Sequence, residues 1–482
     1  MFQRRMPTYD PLTPDGLDAL ERGWRRIVSD LGIEFLHEDA LELFRRAGQR
    51  VDGELVRCDP DWLLETLSTT PTAFTLRARN PERSVEFGLD RMVFTPVQSA
   101  PFVREGTDRR NALFSDFERM VRLTHVVDDL DTPGYPVCDP ADREPETRHL
   151  DLQMALIENS DKPYGAAQFL PVGVADSIAM AEMVHGGRAA LEEQPALFGI
   201  INANSPRRFD TRMIGSLLLL AEANQVVVVT PFILMGAMGP VSIPAALAQQ
   251  TAEALVGMAL AQLVRPGCPA IMGSFISHTD MQSGSPGFGG PESAIGLLVS
   301  GQIARRYGLL WRSGGGGLTS SQVVDAQAAA EAFSTMQAAF LAGANLVLHT
   351  AGWLESGLVA CYEKMALDID ILRVLQHEFT PLDLHDDPAA FAAFDEAGPG
   401  GHFFGTMHTL EHFRDCFYRP LVFSTENYER WESRGAKDTA VRAGERVTEL
   451  LAGYEQPPLD DGLRQELQAY VARRKVEIEA EL

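Results

Sequence analysis

The sequence predicts an α/β fold, a (β/α)8 TIM-type barrel with an N-terminal helical cap and a C-terminal helical extension, on three grounds. Between Ala270 and Gln376 a short apolar run gives way three times to a polar, glycine-bearing loop and then to a long Ala/Leu/Gln segment with helical spacing. The runs are Ala270–Phe275, Leu309–Trp311 and Leu346–Leu348. Runs without polar alternation suit strands buried on both faces, as in a parallel sheet covered by helices. The same strand–loop–helix unit extends back to Met92, giving about eight repeats, the count of a closed parallel barrel. No G-x-G-x-x-G motif opens the first unit, which disfavours the doubly wound open sheet that the periodicity alone also allows.

Residues 1–89 read as a cap of helices and a hairpin. Leu17, Leu20, Trp24, Ile27, Val28 and Leu31 give a helix over Pro14–Leu31, and Leu41 and Phe44 one over Glu38–Ala47, with a short turn at Gly32 between them. Pro60–Leu67 is a third helix; Phe74–Arg79 and Ser84–Phe87 form a hairpin around Asn80-Pro81. Residues 90–376 form the barrel. Met92–Thr95 is its first strand, and the helix over Ser115–Val127 starts at Ser115 as N-cap with Glu118 three residues on, as in a capping box. Strands follow at Thr132–Val137, Pro163–Ala167, Phe198–Ala203 and Val226–Thr230, each before a helix: Glu144–Asn159, Val174–His185, Thr211–Ala223 and Ile243–Val264. Residues 377–482 form the helical extension, whose Glu/Arg/Lys-rich tail from Ala436 reads as a solvated face.

Composition narrows the function classes. The 482 residues are 45% hydrophobic and 23% charged, as in an ordinary globular protein. A formal net charge of −25 argues against a nucleic-acid partner, because phosphate contacts need clustered Lys and Arg. Cys58, Cys138, Cys268, Cys361 and Cys416 are odd in number and far apart, so neither a disulfide framework nor a paired-cysteine zinc site is expected. The N-terminus lacks an apolar signal region and the apolar stretches are interrupted, which predicts a cytoplasmic protein with no membrane association. A homo-oligomer is expected, as is common among barrels.

In a barrel the loops after the strand C-termini carry the chemistry. Here they hold Ser274, His278, Phe288, Glu292, Arg312, the run Gly314–Gly317, His349, Trp353 and Glu355, whereas the returns from helix to strand are brief and plain. His349 follows an apolar run and so emerges at the mouth, where Gly352 lets the chain turn Trp353 over the same space; a buried histidine tying strands together is the alternative. His349 and Glu355 are the candidate catalytic residues. Phe232, Phe288 and Trp353 are candidates for an aromatic cage, since ring faces bind a quaternary ammonium. Arg312 and the amides of Gly315 and Gly316 are candidates for an anionic group, and Gln98 and Asn202 complete the binding set. The glycine run also invites a phosphate reading, but it lacks the lysine and order of a P-loop. His408 and His412 could share a helix face and hold zinc, yet no third ligand is near in sequence, and no metal site is predicted.

The segments GSPGFGGPE (Gly284–Glu292), SGGGGLTSSQVVDAQAAAE (Ser313–Glu331), AGANLVLHTAGWLESGL (Ala342–Leu358), GHFFGTMHTLEHFR (Gly401–Arg414) and FYRPLVFSTENYERWESRGAKD (Phe417–Asp438) resemble the trimethylamine methyltransferase family. The resemblance extends over most of the chain. It implies a (β/α)8 barrel that takes a methyl group from a methylated amine and passes it to the cobalt of a corrinoid (methylcobalamin) carried by a separate corrinoid protein, with no tightly bound cofactor in this chain. Archaeal trimethylamine enzymes of the family carry pyrrolysine; this sequence shows only standard residues and so resembles the branch that uses quaternary amines such as glycine betaine. Methyl departure from a quaternary nitrogen leaves a neutral amine and needs no general acid. The partner is expected over the strand C-termini, with His402–Arg414 on the rim. Alternatives are a non-catalytic betaine sensor or carrier, a trimethylamine or other methylated-amine methyltransferase, and a zinc enzyme with a thiol acceptor.

Overall fold

The computed structural model describes residues 1–382 and 387–481. Among them, seven parallel strands follow one another in chain order around a sheet: Arg91–Phe94, Tyr164–Gly165, Leu197–Ala203, Val226–Met235, Ala270–Gly273, Trp311–Ser313 and Leu346–Val347. The last returns to the first in parallel register, Leu346 beside Val93 and Val347 beside Phe94.

The eighth place is taken by an extended segment that forms no ladder. The N–H of Asp131 donates to the Phe94 carbonyl at 2.9 Å, and the N–H of Gly165 donates to the Gly134 carbonyl at 3.2 Å, so the segment bridges its two neighbours and closes the barrel. A strand is expected at Thr132–Val137, and its chemistry prevents one. Pro133 and Pro136 have no N–H to give, and Gly134 sits at φ +65.

Side chains alternate across each strand, and the inward set fills the barrel. Val226 and Val228 belong to a lower core with Val93, Phe198, Ile271 and Leu346, while Thr230 and Phe232, further along the same face, line a pocket. The expected hairpin forms, Phe74–Leu76 against Val85–Phe87. Its Leu76, Val85 and Phe87 join that lower core and plug the N-terminal end of the barrel. Only the other end is left open.

Two details of the cap and first unit differ from expectation. Instead of a plain turn at Gly32, the first helix ends in a π-turn, Ile27–Leu31, and the chain then forms a strand, Ile33–Phe35. Ile33 and Phe35 alternate inward, and Phe35 stacks on Phe209 with ring centroids 5.1 Å apart. That contact recruits the short strand Arg208–Phe209 in parallel. The helix expected from Ser115 begins at Phe114 with Leu113 as cap, because Asp116 accepts the Leu113 N–H at 2.9 Å. A carboxylate three residues after the cap outweighs the serine.

The extension wraps the barrel wall. Thr439–Ala452 buries Ala443 and Val447 against Tyr362–Glu378, and Asp461–Glu481 buries Leu467 and Ile478. The last helix is therefore more than a solvated face: Tyr470 and Arg474 both donate to Asp176, at 2.6 and 2.8 Å. No described helix is long and apolar enough to cross a membrane.

Candidate active site

At the open end a pocket of about 260 Å³ is lined by residues from six of the barrel units. Ile200 and Leu348 make its floor; Asn202, Thr230 and Arg312 give polar walls; Phe232, Phe275, Trp353 and His349 give the upper walls; Ser99 and Leu358, both exposed, flank the mouth. Among the described residues, no aspartate, glutamate or lysine lines it.

His349 leaves the last strand in the left-handed region, at φ +53. A β-carbon raises the energy there, so the surroundings must hold it. They do: the N–H of Thr350 donates to the Thr95 carbonyl at 2.8 Å, and the N–H of Gly317 donates to the His349 carbonyl at 2.9 Å. The imidazole lies 4.4 Å from the Trp353 ring and 5.6 Å from Phe275 between centroids. Its Nδ1 accepts the backbone N–H of Gln98 at 3.3 Å, which leaves the proton of the neutral ring on Nε2. Burial, reinforced by the Arg312 charge, pushes its pKa well below the ordinary histidine value.

Arg312 is 2% exposed. Its Nη1 donates to the Ser274 carbonyl at 3.0 Å, and its guanidinium carbon lies 5.4 Å from the Phe275 centroid. Burial alone pushes its pKa down to about 9, with no acidic side chain among the described residues offsetting it. Arg312 Nε and Thr230 Oγ1 are both buried without a partner among the described residues. Buried polar groups are normally paired, and two orphans on one small pocket mark a place for a polar ligand group.

Phe275 is the hub of the aromatic wall, with centroids 5.0 Å from Phe232, 5.0 Å from Phe288 and 5.9 Å from Trp353. Trp353 is held by donation from Nε1 to the Thr319 carbonyl at 3.1 Å. The turn beneath it needs glycine. Gly352 sits at φ +97, and a β-carbon there would lie 2.6 Å from Met365 Cγ. Its N–H donates to Asp368 at 2.9 Å, and Asp368 pairs with the fully buried Lys364.

Of the residues singled out from sequence, Gln98, Asn202, Phe232, Arg312, His349 and Trp353 come together on this pocket. Phe288, Gly315, Gly316 and Glu355 stand outside its wall. Phe288 backs Phe275 and Trp353 from behind. The amides of Gly315 and Gly316 are already used, donating to Ser313 Oγ at 3.3 Å and the Leu348 carbonyl at 3.1 Å, so they offer no anion cradle. Glu355 turns its carboxylate to Arg109, which donates to it from Nε and Nη2 at 2.9 Å. His408 and His412 lie on the extension, with His408 Nε2 3.4 Å from Asp387. Sequence reasoning missed Thr230 and Phe275. Both are signalled by parity, since Thr230 continues the inward set of Val226 and Val228, and Phe275 stands in register with Phe232.

Comparison with known proteins agrees with this architecture over the whole chain. The family model described as Trimethylamine methyltransferase (MTTB) matches residues 1–479. The chain is 38% identical over 474 residues to the glycine betaine methyltransferase of Desulfitobacterium hafniense (strain Y51), covering 98% of each. It is 26% identical over 456 residues to the proline betaine:corrinoid methyltransferase of Eubacterium limosum, covering 92% of this chain and 94% of that one. The solved monomethylamine methyltransferase (MtmB) of Methanosarcina barkeri shares the fold, with a TM-score of 0.50 at 7% identity over 94% of this chain and 90% of that one. With a match of that length and a relative of that identity, the chain belongs to the trimethylamine methyltransferase family.

Proposed function

We propose that this chain transfers a methyl group from a betaine, glycine betaine first, to the cobalt of a corrinoid carried by a separate protein. The observation that carries the reading is Arg312, a buried cation with no acid opposite it among the described residues, on a pocket whose other wall is aromatic. A quaternary ammonium with a carboxylate nearby satisfies both walls. Arg312 and Thr230 would take the carboxylate, and Phe232, Phe275 and Trp353 would face the cation through cation–π attraction. Trimethylamine would leave Arg312 unpaired. The two betaine-specific relatives support the same choice.

A cobalt(I) corrinoid docked at the mouth would supply the nucleophile and take the methyl group. The N–CH3 bond breaks with its electron pair left on nitrogen, so the product is a neutral tertiary amine and no proton is required. The pocket suits that chemistry: no carboxylic acid among the described residues lines it, and burial favours the neutral form of His349. His349 Nε2–H can donate to the substrate carboxylate without adding a charge that repels the ammonium. The chain's own contribution is then to aim one methyl at the opening between Ser99 and Leu358 and to keep water from the cation. A reduced cobalt nucleophile also belongs in a reducing compartment, so the reading includes a cytoplasmic enzyme.

Mixing the protein with cob(I)alamin and glycine betaine should consume the cobalt(I) species and release one equivalent of dimethylglycine. Binding without any transfer from glycine betaine, proline betaine, carnitine or choline would overturn the reading and leave a carrier.

A further inference from the structure

The turn from His349 to Gly352 brings His349 and, just beyond it, Trp353 to the pocket. Both of its ends lie in the left-handed region, at φ +53 and φ +97. Backbone of that kind persists only where its surroundings over-determine it. The far end of this turn is held from outside the pocket. Lys364 and Asp368 stand one helical turn apart on Tyr362–Glu378, and their side chains form a fully buried ion pair. Asp368 Oδ2 accepts the Gly352 N–H at 2.9 Å, and Lys364 Nζ donates to the Gly317 carbonyl at 3.2 Å. Gly317 in turn donates its N–H to the His349 carbonyl at 2.9 Å. The bonds therefore close a ring, from His349 across to Gly317, through the ion pair, and back to Gly352. A β-carbon at Gly317 would lie 2.8 Å from Asp368 Oδ2, so this close approach requires glycine.

The helix itself gains little from the pair. An ammonium in the first turn of a helix opposes its macrodipole, and a buried ion pair is often no more stabilising than apolar side chains of similar volume. What the pair supplies is one acceptor and one donor, aimed at the backbone of two different loops, those that follow Leu346–Val347 and Trp311–Ser313. Neither side chain lines the pocket. We propose that Lys364 and Asp368 are positioning residues for methyl transfer: they clamp the His349–Gly352 turn, and so set the Trp353 ring against the substrate ammonium and the His349 ring against its carboxylate. The inference rests on the methyl-transfer reading and extends it to two residues that do not touch the substrate. The imidazole and the Trp353 ring lie 4.4 Å apart, so slack in the turn displaces both. A displacement of about 1 Å can cost about a hundredfold in rate.

Two double variants test the clamp without leaving a buried charge unpaired. Lys364→Met/Asp368→Leu keeps the volume and removes both bonds to the loops. Lys364→Met/Asp368→Asn is also uncharged but keeps an oxygen for the Gly352 N–H. With glycine betaine and cob(I)alamin, the leucine variant should lose about a hundredfold in kcat per folded molecule, with a melting temperature at or above that of the wild type. The asparagine variant should regain at least about tenfold of that loss. Trp353 gives a readout separate from turnover. In protein labelled with 5-fluorotryptophan, its fluorine resonance, assigned with Trp353→Phe, should move in the leucine variant and return towards the wild-type position in the asparagine variant. The resonances of Trp24 and Trp431, which do not line the pocket, should stay in place. Wild-type kcat in the leucine variant, a loss that the asparagine variant does not recover, or an unmoved Trp353 resonance overturns the proposal. A lower melting temperature with unchanged kcat per folded molecule overturns it too, and makes the pair a structural tie. A wild type that releases no dimethylglycine fails the methyl-transfer reading instead; the clamp on the turn is then judged by the Trp353 resonance, moved or unmoved.

Discussion

The backbone N–H of Gln98 donates to Nδ1 of His349 at 3.3 Å, joining the loop after the first barrel strand to the loop after the last. The two loops meet only because the barrel closes. The bond fixes the tautomer of a ring that burial keeps neutral, and so sets a donor, Nε2–H, in the pocket.

Replacing His349 therefore has two separable effects. His349→Ala should weaken glycine betaine binding by about 1–3 kcal/mol, the range for losing a hydrogen bond to a charged group. It should also lower the melting temperature, because Trp353 and Phe275 lose a packing partner. His349→Gly should lose the same affinity yet be more stable than the alanine variant by about 1 kcal/mol, since glycine adopts the left-handed backbone freely. Calorimetry and thermal melts on both variants check this; unchanged affinity with lost stability would make His349 a structural tie only.

Arg312→Met separates binding from folding more sharply. The charge has no counter-ion among the described residues, so exchanging it for an apolar side chain of similar length should leave the melting temperature unchanged or raise it. Binding of glycine betaine should weaken by about 2–5 kcal/mol, as for truncation of one partner of a buried charged pair. Equal affinity in the variant, measured by calorimetry, would remove Arg312 as the carboxylate partner.

Much of this site was legible because strand, loop and helix alternate with clear punctuation. Arg312 and His349 stand where apolar runs end, with Trp353 turned back by Gly352 just beyond, and a residue at that place in a barrel faces the mouth. What stayed hidden depends on contacts between distant segments. Thr132–Val137 reads as a strand from its place in the repeat, but its prolines keep it irregular while the segment from Asp131 still closes the barrel. Gly315 and Gly316 look like free amides until Ser313 and Leu348 are seen to occupy them. Glu355 is one residue from Ser356, which lines the pocket, yet its direction is set by Arg109, 246 residues earlier.

Acid should destabilise the fold through two histidines remote from the pocket. Burial, aided by Arg83 near His125 and by Arg77 near His185, lowers both pKa values from 6.5 to about 4. Above pH 6.5 both rings are neutral whether the chain is folded or not. As pH falls from 6.5 towards 4 the unfolded chain takes up protons that the native state refuses, so stability is lost across that window. Each ring should cost about 2 kcal/mol between pH 7 and pH 5. Urea denaturation at the two pH values should show the loss, and His185→Gln should remove about half of it; a loss unaltered by that substitution would assign the effect elsewhere.

Glu355 is the sequence candidate whose placement changes most. Its carboxylate accepts from both Nε and Nη2 of Arg109, and the Arg109 guanidinium lies 4.0 Å from the Phe102 ring. This pair closes the loop edge beside the mouth but is partly solvated, which limits it to less than about 1 kcal/mol. The turn that carries Ser356 to the pocket does not depend on it. The Glu355 N–H donates to the Ser321 carbonyl at 2.9 Å, and the Ser356 N–H donates to the Thr319 carbonyl at 3.1 Å, so main-chain bonds hold the turn. Methyl loss from a quaternary nitrogen also requires no acid. Glu355→Gln should therefore keep glycine betaine affinity within about threefold and cost less than about 1 kcal/mol of stability, with dimethylglycine release close to that of the wild type. A drop of two orders of magnitude in release, at unchanged affinity and melting temperature, would return Glu355 to the chemistry.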